Sequence, residues 1–215
     1  MKFSLSNKFI ILGAAIIVAL ALFAWFFPLP AKVELSVPYV SQVPDGQWIA
    51  PWDEACEEAS ITMVDAYYRR QTSVDAETSK KQMQDMIDWE TKTLKKNFDT
   101  DADQTTQIIA NNASFRATIE RNPSLQDIKR QLASNRPVIA LINMYQLYQE
   151  KALGDSYHVL VITGYDDEVG AFIVHDPARE QKHYSYQVMM NALHDFNPST
   201  HEADGTATVL FTTKQ

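Results

Sequence analysis

Apolar and polar positions change rhythm several times along this chain. An unbroken apolar block comes first: Phe9 to Phe27 (FIILGAAIIVALALFAWFF), 19 residues without a charge. Val33 to Val40 (VELSVPYV) predicts a short strand, and Ser41 to Trp52 a loop, because Pro44, Gly46 and Pro51 punctuate it. From Glu57 the rhythm turns helical. Ser60, Met63, Val64 and Tyr67 fall on one side with Ile61 and Tyr68 beside them, which predicts a helix to about Arg70. Asp75 to Leu94 reads as a polar helix whose sparse apolar side is Met83, Met86, Ile87 and Leu94, and Asp101 to Asn111 as a shorter one. Ser114 to Glu120 predicts a strand. Ser124, with Asp127 three residues on, has the form of a helix cap, followed by a stripe of Leu125, Ile128 and Leu132 that ends at Arg136-Pro137. The continuous apolar run VIALINM comes next. Residues 157 to 177 (YHVLVITGYDDEVGAFIVHDP) hold two β-rich runs around the turn Asp166 to Gly170. Ser185 to Leu193 predicts a helix and Thr206 to Thr213 a closing strand. Helices first and then a mostly antiparallel sheet define an α+β domain.

The first block stands apart from this globule. At about 1.5 Å per residue it spans roughly 29 Å, close to the hydrocarbon thickness of a bilayer. Trp25, Phe26 and Phe27 end it where an interfacial aromatic belt would lie, and Lys2 and Lys8 precede it, which favours an N-terminus inside. A cleaved signal peptide would need a shorter apolar region and small residues at the cut, and Pro28 to Ala31 makes a poor cleavage site. The expectation is one transmembrane helix preceding the domain, with residues 1–32 as a cytoplasmic stub and anchor and residues 33–215 as an extracytoplasmic domain of a single-pass cell-membrane protein.

Charge and cysteine content narrow the chemistry. The net charge is −8, and without Lys2 and Lys8 the remainder has 17 basic residues against 27 acidic ones. With no basic block, nucleic acid is excluded as a partner class. A single cysteine can form no internal disulfide, and no Cys/His spacing suggests zinc, so neither a metal nor a cofactor is expected.

That cysteine, Cys56, stands where the first helix of the domain begins. A helix N-terminus carries unpaired N–H groups and partial positive charge, which eases ionisation of a thiol. Glu57 and Glu58 follow it, and like charge beside a thiolate works against it. A nucleophile needs a base and an orienting group. His158 opens one strand of the expected hairpin and Asp176 ends the other, so antiparallel pairing can bring them together. Taken singly, each residue has a plain structural reading: a buried small hydrophobe for the thiol, turn chemistry for Asp176-Pro177. Trp48 and Trp52 flank the loop before Cys56 as candidate walls of a cleft.

The order of these motifs resembles a family. VPYVSQ at residues 37–42, a Trp-containing loop, Cys56 on a helix carrying Met63, Tyr67 and Tyr68, the strand PVIALI, then HVLVITGYDD from His158, and finally Asp176-Pro177 resemble the papain-like cysteine peptidases. Within these, the likeness is to relatives of the bacteriocin-processing, double-glycine-cleaving peptidases in their stand-alone C39-like form, over nearly all of residues 36–213. The resemblance implies a papain-like fold and hydrolysis of peptide bonds in a peptide or protein substrate. It implies Cys56 as nucleophile, His158 as general base and then acid, and Asp176 as the orienting carboxylate. Gln42 matches the glutamine that forms an oxyanion hole with the Cys56 backbone N–H. It also implies that His175, beside Asp176, is not the base. A catalytically weak peptide-binding module of the same fold and a papain-like cell-wall amidase are the alternative readings.

Overall fold

The computed structural model describes residues 28–96, 98–154 and 156–215. The expected transmembrane helix, Phe9 to Phe27, lies outside the described residues. Among the described residues no helix is long and apolar enough to cross a membrane. The chain divides into two units, Met1–Pro30 and Ala31–Gln215, and the second holds the sheet and its helices.

The sheet is built from β1 (Lys32–Glu34), β2 (Phe115–Arg121), β3 (Val138–Asn143), β4 (Tyr157–Asp166), β5 (Ala171–Asp176), β6 (Glu180–Ser185) and β7 (Thr208–Lys214). Its order is β2-β7-β3-β4-β5-β6, with β1 also paired to β4, and every pairing is antiparallel. The helices are α1 (Cys56–Tyr68), α2 (Ala76–Thr93), α3 (Ala102–Asn112), α4 (Leu125–Ala133), α5 (Met144–Tyr148) and α6 (Tyr186–Ala192). The α+β expectation therefore holds.

Strand β4 is the centre of the second unit. Residues Tyr157 to Tyr165 are all buried, as a strand covered on both faces requires. Along one side, β3 pairs with Tyr157 to Ile162 and β1 with Gly164 to Asp166. The sheet slips register between Ile162 and Gly164, where β1 and β4 approach so closely that a Cβ on Gly164 would sit 2.2 Å from the Val33 carbonyl oxygen. The glycine is there for that contact. Strand β1 is shorter than the eight residues expected. Leu35 N–H still reaches the Thr163 carbonyl (2.8 Å), but Pro38 offers no ladder donor and the segment leaves the sheet with Leu35, Val37 and Val40 buried against the core.

Helix α1 is packed against β4, and every residue from Cys56 to Ala66 is buried. Such a helix has no solvent face, which is why its sequence carries a run of small and apolar residues rather than a clear stripe. Ser60 Oγ donates to the Val159 carbonyl (3.3 Å) and fixes the helix on the strand. The Ser124–Asp127 capping box forms at α4 as expected, and Asp75, Asp101 and Ser185 cap α2, α3 and α6. Two elements were not expected. Strand β6 (EQKHYS) is polar on both faces and exposed along most of its length at the sheet edge, and α5 follows β3 directly.

Candidate active site

Cys56 is the first residue of α1, with Ala55 before it in the cap position and no side chain capping the helix. A tight turn, Trp52–Glu54, precedes it. Because Ser60 lies one turn beyond Cys56 and bonds Val159, the start of α1 rests over the start of β4, where His158 sits. The phenol of Tyr157 shows the same neighbourhood, since its ionisation is opposed by burial and then by the charges of Glu57 and Cys56.

His158 and Asp176 meet across the β4–β5 pairing. Val161 faces His175 in the register, so Asp176 falls beside the stretch that carries His158. His158 Nε2 lies 2.9 Å from Asp176 Oδ1, with the two side chains 5 % and 0 % exposed. Burial alone would raise the Asp176 carboxyl, yet its pKa is lowered, with His158 the leading opposing cause, followed by Tyr148 and the Ala178 N–H. An ionised carboxylate can only accept, so Nε2 carries the donated proton. Nδ1 of the neutral ring is then left with its lone pair.

The carboxylate is held from two further directions. Tyr148 Oη donates to Asp176 Oδ2 at 2.7 Å and the Ala178 N–H donates to Oδ1 at 3.0 Å, while the Arg179 N–H donates to the Asp176 backbone carbonyl at 3.0 Å. Arg179 also covers the Tyr148 ring, 3.8 Å from its centroid, and pairs with Glu150 at 2.8 Å. Sequence reasoning missed Tyr148. It lies on a five-residue helix that only the fold carries to Asp176, and no spacing signals it.

Gln42 is 2 % exposed, not a surface loop residue. Its Nε2 donates to the Trp52 and Asp53 carbonyls, each at 3.2 Å, and its backbone N–H to the Pro177 carbonyl at 3.1 Å. It therefore ties the turn before Cys56 to the segment after Asp176. Tyr39 Oη reaches the same Pro177 carbonyl at 3.2 Å. His175 points away from this assembly. It is half-buried, edge-on to Tyr39 at 6.0 Å, and its pKa is lowered chiefly by burial. Of the two tryptophans, Trp52 is buried under Lys80, whereas Trp48 and Ile49 are more than half exposed. Among the described residues no group of His, Cys, Asp or Glu could hold a metal ion.

The expectation of a thiol activated by the helix N-terminus and His158 needs correction for this state. Cys56 is 5 % exposed and its Sγ–H donates to Glu57 Oε2 at 2.9 Å. Burial first, and the Glu57 charge second, push the thiol well above its ordinary range. Desolvation and a carboxylate in contact outweigh one helix terminus, whose field is worth only about 0.3–1 kcal/mol when exposed and up to ~2 when partly buried.

A group of buried acids, with the half-buried Asp99, surrounds this contact. Burial, and then the neighbouring Glu58, push Glu57 up to about 7. Burial pushes Glu90 up to about 7 as well, and burial followed by the Glu57 charge does the same to Asp99. Folded protein thus keeps protons that the unfolded chain has released between pH about 4.5 and 7, so stability falls as pH rises across that window. Asp176 has the opposite sign, but its contribution is present above its unfolded value and lost only in stronger acid, so it does not offset the trend there. The thermal midpoint followed by circular dichroism should be higher at pH 5 than at pH 8. An equal or lower midpoint at pH 5 would contradict the buried placement of these acids.

Comparison with known proteins bears on the family and the fold. The model of the Peptidase_C39 like family matches residues 34–203. A crystal structure described as a C39-like peptidase from Bacillus anthracis superposes with a TM-score of 0.57 at 14 % identity, over 86 % of this chain and 98 % of that one. The structure of a double glycine motif protease from an AMS/PCAT transporter, in complex with the leader peptide, gives a TM-score of 0.52 at 17 % identity, over 85 % of this chain and 95 % of that one. No curated protein matches. At such identities the two structures speak for the fold, and the family match, which spans most of the sequence, speaks for descent: the chain belongs to the Peptidase_C39 like family.

Proposed function

We propose that the chain is a membrane-anchored, extracytoplasmic cysteine peptidase whose reacting groups are Cys56, His158, Asp176 and Gln42. The observation that carries this reading is the buried 2.9 Å contact between His158 Nε2 and Asp176 Oδ1, beside the helix that begins at the chain's single cysteine. The anchor rests on the apolar run Phe9 to Phe27.

In this mechanism the S–H bond of Cys56 breaks, its proton passes to His158 Nδ1, and the sulfur bonds to the substrate carbonyl carbon. Asp176 stabilises the imidazolium so formed. The oxyanion is met by the backbone N–H of Cys56, which as a first-turn group has no partner inside the helix, and by the Gln42 amide, which gives up its bond to the Trp52 or the Asp53 carbonyl to do so. Collapse breaks the C–N bond, His158 gives its proton to the leaving amine, and water hydrolyses the thioester by the same route in reverse.

The test is mass-spectrometric reading of a diverse peptide library after incubation with the purified chain, together with protease accessibility of residues 33–215 from outside intact cells. Cleavage at defined bonds supports the reading. Binding of the same peptides without cleavage supports instead a peptide-binding module, the reading favoured by the burial of the Cys56 thiol and its contact with Glu57. Gln42→Ala should lower kcat by roughly a hundred- to a thousand-fold while Cys56 stays open to alkylation. A variant with full kcat would remove Gln42 from the oxyanion site and leave it only the loop contacts to Trp52 and Asp53.

A further inference from the structure

Among the described residues Glu57 is the side chain hydrogen-bonded to the nucleophile, and the peptidase mechanism makes no use of it. It is 2 % exposed and built in on both oxygens. Oε2 accepts the Cys56 thiol at 2.9 Å. Oε1 accepts the Thr100 N–H at 2.8 Å and the Thr100 hydroxyl at 3.1 Å. Thr100 is itself held, because the Tyr157 hydroxyl of β4 donates to its carbonyl at 2.8 Å. A carboxyl whose second oxygen is gripped by two donors cannot swing away from the sulfur at will.

The charged groups around Glu57 come from four elements. On α1 they are Cys56 and Glu58. From α2 comes Glu90, which bonds Glu58 and carries one unpartnered buried oxygen. The loop between α2 and α3 brings Asp99 and Lys96, and β4 brings Tyr157 and His158. The Asp99 carboxyl is opposed by the Glu57 charge and favoured by those of Lys96 and His158. One ammonium and one imidazole thus face four carboxyl groups. Such a cluster takes up protons readily, and Glu57 is the member that touches the sulfur.

We propose that Glu57 is a proton-controlled clamp on the nucleophile: as a carboxylate it holds the Cys56 thiol protonated, and one proton taken from solvent releases it. The clamp rests on the reading of Cys56 and His158 as the reacting pair. In the resting state the sulfur carries its proton, Glu57 is a carboxylate and His158 is neutral. In the released state Cys56 is a thiolate, Glu57 a carboxylic acid and His158 an imidazolium. The two differ by one proton: the S–H bond breaks, and an O–H bond on Glu57 and an N–H bond on His158 form from the thiol proton and the solvent proton. The neutral carboxyl can then donate to the thiolate it formerly opposed. Because release consumes a proton, the released state belongs to the acid side and gives way to the resting state as pH rises through about 7, where the Glu57 carboxyl titrates. Glu57 acts through Cys56, as a positioning and controlling residue.

The experiment is the rate of Cys56 alkylation by iodoacetamide across pH 5 to 9, on the full chain purified in mild detergent, with peptide cleavage followed in parallel. Wild type should show a reactive limb in acid that falls through about pH 7. In Glu57→Gln that fall should vanish, and at pH 8 the variant should alkylate at least about tenfold faster, the change in thiolate that one pKa unit brings. Thr100→Val removes one donor that favours the ionised carboxyl, so its falling limb should move to higher pH by a smaller amount. It also carries the test should Glu57→Gln fail to fold. Profiles of Glu57→Gln or Thr100→Val that superimpose on wild type overturn the clamp. A Glu57-dependent alkylation limb without any peptide cleavage would uphold the clamp and defeat the peptidase reading. Cleavage with both profiles unchanged would do the reverse.

Discussion

Cys56→Ala is expected to remove all measurable peptide turnover, and His158→Ala nearly all of it, with the double variant little worse than either. The reason is that the two act as one device: without the sulfur there is no acyl intermediate, and without the imidazole the thiol, raised by burial and by Glu57, has nowhere to send its proton. Losses that multiplied across the two variants would mean that they act independently, contrary to the mechanism. His175→Ala serves as the control. Its ring lies on the opposite side of β5 from Asp176, against Tyr39, so its loss should leave turnover within a few-fold of wild type. A dead His175→Ala beside an active His158→Ala would exchange the two histidines. Folding of each variant is checked by circular dichroism.

The second large effect is expected at Asp176. Asp176→Asn keeps an oxygen that can accept from His158 Nε2 or from Tyr148 Oη, but it loses the charge that sets the tautomer and stabilises the imidazolium. In a serine protease triad the corresponding change costs about 10⁴ in kcat. A loss of that order, with the fold intact, is expected here. Asp176→Ala should also unfold more easily. It would leave a buried imidazole and the Tyr148 hydroxyl without their partner, and an unsatisfied buried polar group costs about 1–3 kcal/mol. Tyr148→Phe separates the two effects. It removes one donor to the carboxylate and leaves His158 paired, so kcat should drop far less than in Asp176→Asn. Equal losses in Tyr148→Phe and Asp176→Asn would assign the effect to packing around the carboxylate rather than to its charge.

Much of the site is legible in the sequence, and the reasons are local. Cys56 stands at a helix start that punctuation by Pro51 and a run of apolar residues makes readable. His158 and Asp176 sit at the two ends of a hairpin whose turn, Asp166 to Gly170, is written in its residues, so antiparallel pairing had to bring those ends near each other. Gln42 carries no such signal. Only the family pattern distinguishes it from a solvated loop residue, and the structure finds it 2 % exposed. Tyr148, Thr100 and Asp99 are invisible, because each is delivered by a short helix or a loop whose path depends on what it packs against.

What the sequence determined by itself were the features set by neighbours along the chain: the helix caps at Ser124 and Asp127, the period of α2, and the apolar runs of β3 and β4. Periodicity and capping are satisfied within a few residues, so they can be read there. The tertiary structure decided where an element's hydrogen bonds and burial come from elsewhere. Strand β6 exists because β5 offers it a ladder, although its residues are polar on both faces. Strand β1 stops at Glu34 because β3 takes the same edge of β4 from Ile162 on. The state of the Cys56 thiol was decided in the same way. Helix position predicts ionisation, but burial under β4 and a carboxylate held by Thr100 reverse it, since desolvation and a contact at 2.9 Å act more strongly than the terminus of a helix.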